Sequence, residues 1–178
     1  DETWIYEASG TATQGQYENV GEVCVTAVNG DIYCDTDTSH YFGGDASVVV
    51  EKYTNTFDAD LPTGPKIGVD SSVFWTYTVE NNGNVPLLLV FLVDDAGTPG
   101  AGSNGDDFFP DEVVDGSGFN VGDLNQNDTI DIGEVWEFEY TGTATTLNQY
   151  ENIATVETVD TTGADVTDTD PSHYFGAN

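Results

Sequence analysis

Part of the chain occurs twice, and this duplication limits its possible architecture more than any other feature. Residues from Glu2-Thr-Trp4 through Ser39-His-Tyr-Phe-Gly43 return as Glu134-Val-Trp136 through Ser172-His-Tyr-Phe-Gly176. One inserted residue aligns the copies. About half of the aligned positions are identical, including Gly10-Thr-Ala-Thr13 with Gly142-Thr-Ala-Thr145 and Gln16-Tyr-Glu-Asn19 with Gln149-Tyr-Glu-Asn152. An offset of about 133 residues is too long for a solenoid unit and suits a domain. The sequence reads as the C-terminal strands of one module, residues 1–44, followed by a complete module over 45–178.

Apolar and polar residues alternate with a period of two along nearly every segment, and turn residues interrupt the alternation at short intervals. The pattern predicts strands at 46–53, 71–80 and 85–93, a short pair within 111–121, and strands at 134–145, 149–159 and 164–174. The expected fold is all-β, an antiparallel β-sandwich of the immunoglobulin-like class. The turns at 81–84 and 161–163 supply residues that accept the positive φ of hairpins. Leu87-Leu-Leu-Val-Phe-Leu-Val93 is apolar without alternation. It suits either a strand covered on both faces or a core strand with an oily outer edge.

Cys24 and Cys34 flank Val28-Asn29-Gly30. A three-residue hairpin loop with glycine at its left-handed position sets the two cysteines opposite each other, so a disulfide is expected. The second copy has Glu157 and Thr167 at these positions, which makes the bridge a reinforcement of one module only.

Charge narrows the partners. Two Lys+Arg face 33 Asp+Glu, a formal net charge of -31. Nucleic acid and anionic membranes both require a basic surface, so neither is an expected partner. Cations are the natural counter-species. No apolar stretch approaches the roughly eighteen residues of a membrane span, and membrane insertion is not expected. With 38% hydrophobic and 12% aromatic residues the chain can still bury a core.

The sharpest chemical signal is Asp123-Leu-Asn125-Gln-Asn127-Asp-Thr129-Ile-Asp131-Ile-Gly-Glu134. With Asp123 as position 1, oxygen-bearing side chains fall at 1, 3, 5 and 9, a carbonyl donor at 7 (Thr129) and a carboxylate able to bind through both oxygens at 12. That is the register of an EF-hand loop, and Ca²⁺ takes six to eight such oxygens at about 2.3–2.6 Å. Position 6, normally glycine, is Asp128, which must therefore adopt a left-handed conformation. Ile130 at position 8 is expected to anchor the loop in the core. Asn127-Asp-Thr129 also matches a glycosylation sequon, a use that competes with ligation by Asn127.

Two weaker acidic groups are candidates for further cations. Asp94, Asp95, Asp106 and Asp107 belong to a glycine- and aspartate-rich excursion between 94 and 122. Asp35 and Asp37, repeated as Asp168 and Asp170, put paired carboxylates on strands entering the module boundary, where His40 is a further candidate ligand. The alternative reading of both is solvated loop and packed junction.

The complete module resembles the immunoglobulin-like repeats found in tandem in large prokaryotic surface proteins, adhesins and wall-anchored stalks. The resemblance rests on Gly122-Asp-Leu-Asn-Gln-Asn127, Gly133-Glu-Val-Trp136 and Asp168-Thr-Asp-Pro-Ser-His-Tyr-Phe-Gly176. It covers 45–176 and, as the back third of a unit, 1–43. The loop is also similar to those of dockerins and of the calcium-dependent B repeats of staphylococcal surface proteins. The resemblance implies an extracellular location, stiffness that depends on calcium, and mechanical or adhesive work without catalysis.

The leading expectation is thus a calcium-rigidified structural module of a cell-surface filament, stalk or adhesin. Its partners would be adjacent copies of the same module or subunit, head to tail, with strand complementation of residues 1–44 as one route. The alternative is a ligand- or carbohydrate-binding adhesin module that uses the 94–122 excursion, with Phe108 and Phe109 as an aromatic platform. No enzyme is expected, because the histidines His40 and His173 belong to the boundary motif and no nucleophile stands in a recognisable context.

Overall fold

The computed structural model describes residues 2–99 and 105–178, so part of the predicted acidic excursion lies outside the described residues. It divides into two compact units, Asp1–Asp45 and Ala46–Asn178. All regular structure among the described residues is strand.

The larger unit holds two sheets. One has the order β4 (Phe57–Asp58), β3 (Val48–Thr54), β6 (Ser72–Asn81), β9 (Val135–Thr143), β8 (Asp111–Glu112). The other has the order β5 (Lys66–Gly68), β11 (Asp165–Ala177), β10 (Asn148–Asp160), β7 (Leu87–Asp94). Alternation is the cause of this layering. Every second residue of β3 and β6 is buried, including Val48, Val50, Val73, Trp75, Tyr77 and Val79, because successive strand side chains point to opposite faces. These residues meet Leu87, Leu92, Ala154, Val156 and Tyr174 from the other sheet in one core, the arrangement of a β-sandwich. Each such aliphatic or aromatic side chain contributes about 1.5–3 kcal/mol on full burial.

Four details depart from or refine the sequence reading. β4 and β5 are absent from it, since segments of two and three residues cannot display a period. β5 runs parallel to β11, unlike every other pairing. The turn at 81–84 joins strands of different sheets instead of a hairpin, and its residues carry no positive φ. It is fixed instead by the Asn81 side chain, which donates to the Val85 and Ile130 carbonyls and accepts from Gly83 N–H. β7 is an edge strand whose outer face exposes Leu88 and Val90, the oily-edge alternative.

The sheets are also seamed along one side by polar side chains. Asp168 accepts from Val50 N–H at 2.9 Å, Asp170 accepts from Lys52 N–H at 2.6 Å, and the Ser172 and Thr54 hydroxyls meet at 2.6 Å. Residues two apart on β11 thus meet residues two apart on β3. This contact explains the spacing of Asp-Thr-Asp-Pro-Ser.

The smaller unit is the hairpin β1 (Gly15–Thr26) and β2 (Ile32–Gly43). It reproduces β10–β11 pair by pair: Tyr17 faces Tyr41 as Tyr150 faces Tyr174, and Asn19 faces Ser39 as Asn152 faces Ser172. Both tyrosine pairs stack, at 4.7 and 4.4 Å between centroids. In both copies the second tyrosine hydroxyl accepts from a threonine backbone N–H just ahead of the hairpin, Thr13 in one and Thr146 in the other, so the inserted residue falls before Thr146 in space. The closing glycine is required at this point, since a β-carbon at Gly43 or Gly176 would collide with the carbonyl of Thr13 or Thr146. Cys24 and Cys34 are directly opposed and joined by a disulfide, and Gly30 in the intervening turn has φ 91°. Within this unit Trp4, Tyr17, Val20, Val23 and Val25 are exposed, whereas Trp136, the counterpart of Trp4, is buried in the larger unit.

Candidate metal site

The loop from Asp123 to Glu134 is held by its own carboxylates. Asp123 Oδ1 and Oδ2 accept from Asn127 and Asp128 N–H at 3.1 and 2.8 Å. Glu134 Oε1 and Oε2 accept from Leu124 and Asp131 N–H, both at 3.0 Å. Both side chains are buried, so the first and twelfth positions clamp the loop from its two ends. Ile130 is fully buried and pairs with Leu87 in an isolated bridge that ties the loop to the edge strand. Asp128 has φ 56° and Gln126 φ 60°, so the bend at the sixth position is left-handed without glycine.

The remaining positions converge on one point. Asn125 Nδ2 and Asn127 Nδ2 donate to the same Asp131 Oδ2, at 2.6 and 3.0 Å. Turning each amide about its last torsion would direct its oxygen where its NH₂ group now points, a rotation that changes little in shape. Positions 3, 5 and 9 would then present three oxygens to one point, at the cost of the bond that Asn127 Oδ1 accepts from Thr129 N–H, while the Asp123 and Glu134 carboxylates stay on the backbone N–H groups of the loop. The donor set is all oxygen and anionic, and it fits a hard divalent cation of the calcium type.

The other predicted groups are arranged differently. Asp94 is fully buried, and its Oδ2 lies 2.6 Å from Lys52 Nζ and accepts from Tyr77 Oη at 2.8 Å. Its Oδ1 accepts from Asn152 Nδ2 at 2.6 Å and from Ala96 N–H at 3.1 Å. Asp95 accepts from Gly97 and Ile153 N–H at 2.9 and 2.8 Å. Both carboxylates therefore organise the turn after β7. Asp106 bonds the Thr98 hydroxyl, and Asp107 is half-buried nearby in sequence. Phe108 stacks on Tyr140 at 3.8 Å and packs against Trp75, while Phe109 is exposed, so the two rings do not share a face. Asp168 and Asp170 belong to the seam, and Asp35 and Asp37 lie exposed at the equivalent positions of β2.

Among the described residues, one carboxylate oxygen from each of Glu51, Asp58 and Asp60 lies within 4.8 Å of the other two. Burial first, then mutual repulsion, raises the pKa of Glu51. Asp60 is raised by burial and by its hydrogen bond to Asp58. Asp170 is pushed up to about 6, chiefly by burial, with Asp60 and Glu51 adding to it against the lowering effect of the Lys52 N–H bond. Glu22, Cys24 and Cys34 form a second close group, but the disulfide occupies both sulfurs.

Lys52 and Asn152 escaped the sequence reading. A signal for Lys52 exists in the strand itself: 48, 50, 52 and 54 share one face of β3, and the other three are apolar or small. The signal for Asn152 is its repetition as Asn19. No protein-family model matches the chain, and a search of curated proteins finds no relative.

Proposed function

We propose that the chain is a structural repeat module of an extracellular prokaryotic surface filament, stalk or adhesin, immunoglobulin-like in class, stiffened by calcium and joined head to tail to copies of itself. The observation that carries this reading is the duplication of β10–β11 in β1–β2, reproduced in strand register, tyrosine stacking and the glycine at the strand end. A module whose closing hairpin recurs before its first strand is one bead of an array.

The smaller unit also presents what such an array would use. Asp35, Asp37 and Ser39 stand where Asp168, Asp170 and Ser172 seam β11 to β3. On the same face lie the exposed side chains of Tyr17, Val23 and Val25. An incoming strand of the β3 type would find its acceptors already spaced, whether it comes from the same polypeptide or from a neighbouring subunit. The disulfide supports an oxidising, exported setting. Calcium is assigned to Asp123, Asn125, Asn127, Thr129, Asp131 and Glu134, and no catalytic role is assigned to any residue.

Force spectroscopy on a tandem array of residues 45–178 tests this reading. Calcium-loaded modules should unfold at higher force than modules in EGTA, and removing both Asp123 and Glu134 carboxylates should erase the difference. Equal unfolding forces with and without calcium would contradict a load-bearing metal.

A further inference from the structure

Lys52 is one of only two Lys+Arg residues in a chain of formal net charge -31, yet its side chain is wholly buried. A lysine placed to balance surface charge would lie outside. Instead its Nζ contacts Asp94 Oδ2 at 2.6 Å and donates to the Asn152 backbone carbonyl at 3.0 Å. The other oxygen of the same carboxyl group accepts from the Asn152 side-chain amide at 2.6 Å. A single carboxyl group therefore bridges an amine and a primary amide. Asn152 is itself 1% exposed, and its Oδ1 is a buried acceptor with no hydrogen-bond partner among the described residues, an arrangement that costs about 1–3 kcal/mol if nothing uses that atom.

We infer that Lys52, Asp94 and Asn152 form a self-modification site that joins Lys52 Nζ to Asn152 Cγ in an intramolecular amide bond. Desolvation lowers the lysine pKa and is the largest influence on it, opposing the attraction of Asp94. Passing one proton from the ammonium to Asp94 within this contact supplies the neutral amine that the attack requires. The amine lone pair attacks Cγ while Asp94 gives its proton to the amide and takes one from the attacking nitrogen. The tetrahedral intermediate collapses with cleavage of Cγ–Nδ2, the pair leaves on nitrogen, and ammonia departs. One C–N bond forms and one breaks, Asp94 is regenerated, and neither oxidant nor water is consumed. Tyr77 is a positioning residue, since its hydroxyl holds Asp94 Oδ2.

The location suits a mechanical module. Lys52 lies on β3 of the five-stranded sheet and Asn152 on β10 of the four-stranded sheet, 100 residues apart in sequence. The bond would staple the two layers through the core. Residues 1–45 contain no lysine, so Asn19, the counterpart of Asn152, has no lysine within its own unit and serves as an internal control.

Intact-mass measurement of the folded and then denatured natural-sequence chain decides the matter without a variant. The expected mass is below the disulfide-corrected sequence mass by one ammonia, about 17 Da, with tandem spectra placing the link between Lys52 and Asn152 and leaving Asn19 as a free amide. Lys52→Ala, Asp94→Asn and Asn152→Ala should each restore the full mass. Chelation should leave the loss of ammonia unchanged, which separates this inference from the calcium reading. Two outcomes overturn it: an unreduced mass in protein shown to be folded, which leaves a buried ion pair, or a loss of about 18 Da mapped to Lys52 and Asp94, which makes Asp94 the acceptor.

Discussion

Asp128 shows what single residues contribute to the loop. It occupies the left-handed bend at φ 56°, a conformation that costs a side-chain-bearing residue about 1 kcal/mol relative to glycine. Asp128→Gly should therefore raise stability in calcium-free buffer by up to about 1 kcal/mol, as read from urea unfolding; a loss of stability would show that the Asp128 side chain holds the bend. Asp170 makes a separate prediction. Its pKa is raised from 3.8 to about 6, so the folded state binds this proton more tightly than the unfolded chain does. The resulting stabilisation is complete below pH 3.8 and is lost as pH rises through 6. In EDTA, the midpoint of thermal unfolding should fall between those values, and Asp170→Asn, which keeps an acceptor for Lys52 N–H, should flatten the decline. An unchanged slope in the variant would assign the pH dependence to other carboxylates.

At the scale of elements, the hairpins were the most legible part of the chain because their signals are local. Val28-Asn29-Gly30 and Thr161-Thr-Gly163 each announce a turn with glycine at the left-handed position, and Gly30 and Gly163 have φ 91° and 83°. The register between strands then follows from the turn, which is why Cys24 could be set opposite Cys34 from spacing alone. The role of Asp168 and Asp170 was not legible. Their partners are backbone N–H groups of Val50 and Lys52, each 118 residues away, and nothing local marks a carboxylate as the acceptor for a distant strand. Asp94 was illegible for the same reason: among many aspartates in one stretch, only the fold selects the one that meets Lys52. The disulfide makes an element-level prediction. It closes a loop with a sequence separation of 10, worth about 2–3 kcal/mol in chain-entropy terms. Reduction should accelerate amide exchange in β1 and β2 while leaving β3 through β11 protected. Equal loss of protection in both units would mean that their stabilities are linked.

For the whole molecule, the governing tension is between a core of ordinary composition and a formal net charge of -31. Carboxylates gathered at Glu51, Asp58 and Asp60 repel one another unless protonated, screened or bound to cations. Alternation made the all-β class and the two-layered core readable from the sequence. The assembly of successive modules remains a reading of the duplicated hairpin and its exposed face. The central claim, that a divalent ion rigidifies each module through the Asp123–Glu134 loop, is tested most directly by thermal unfolding of residues 45–178 with calcium, with EGTA, and in the Asp123→Ala variant. Calcium at about a hundredfold excess over its dissociation constant adds about 2.7 kcal/mol, so the midpoint should rise by at least about 5 °C, fall back in EGTA, and stay low in Asp123→Ala under both conditions. A midpoint that is identical in calcium and in EGTA for the unaltered sequence would contradict the account.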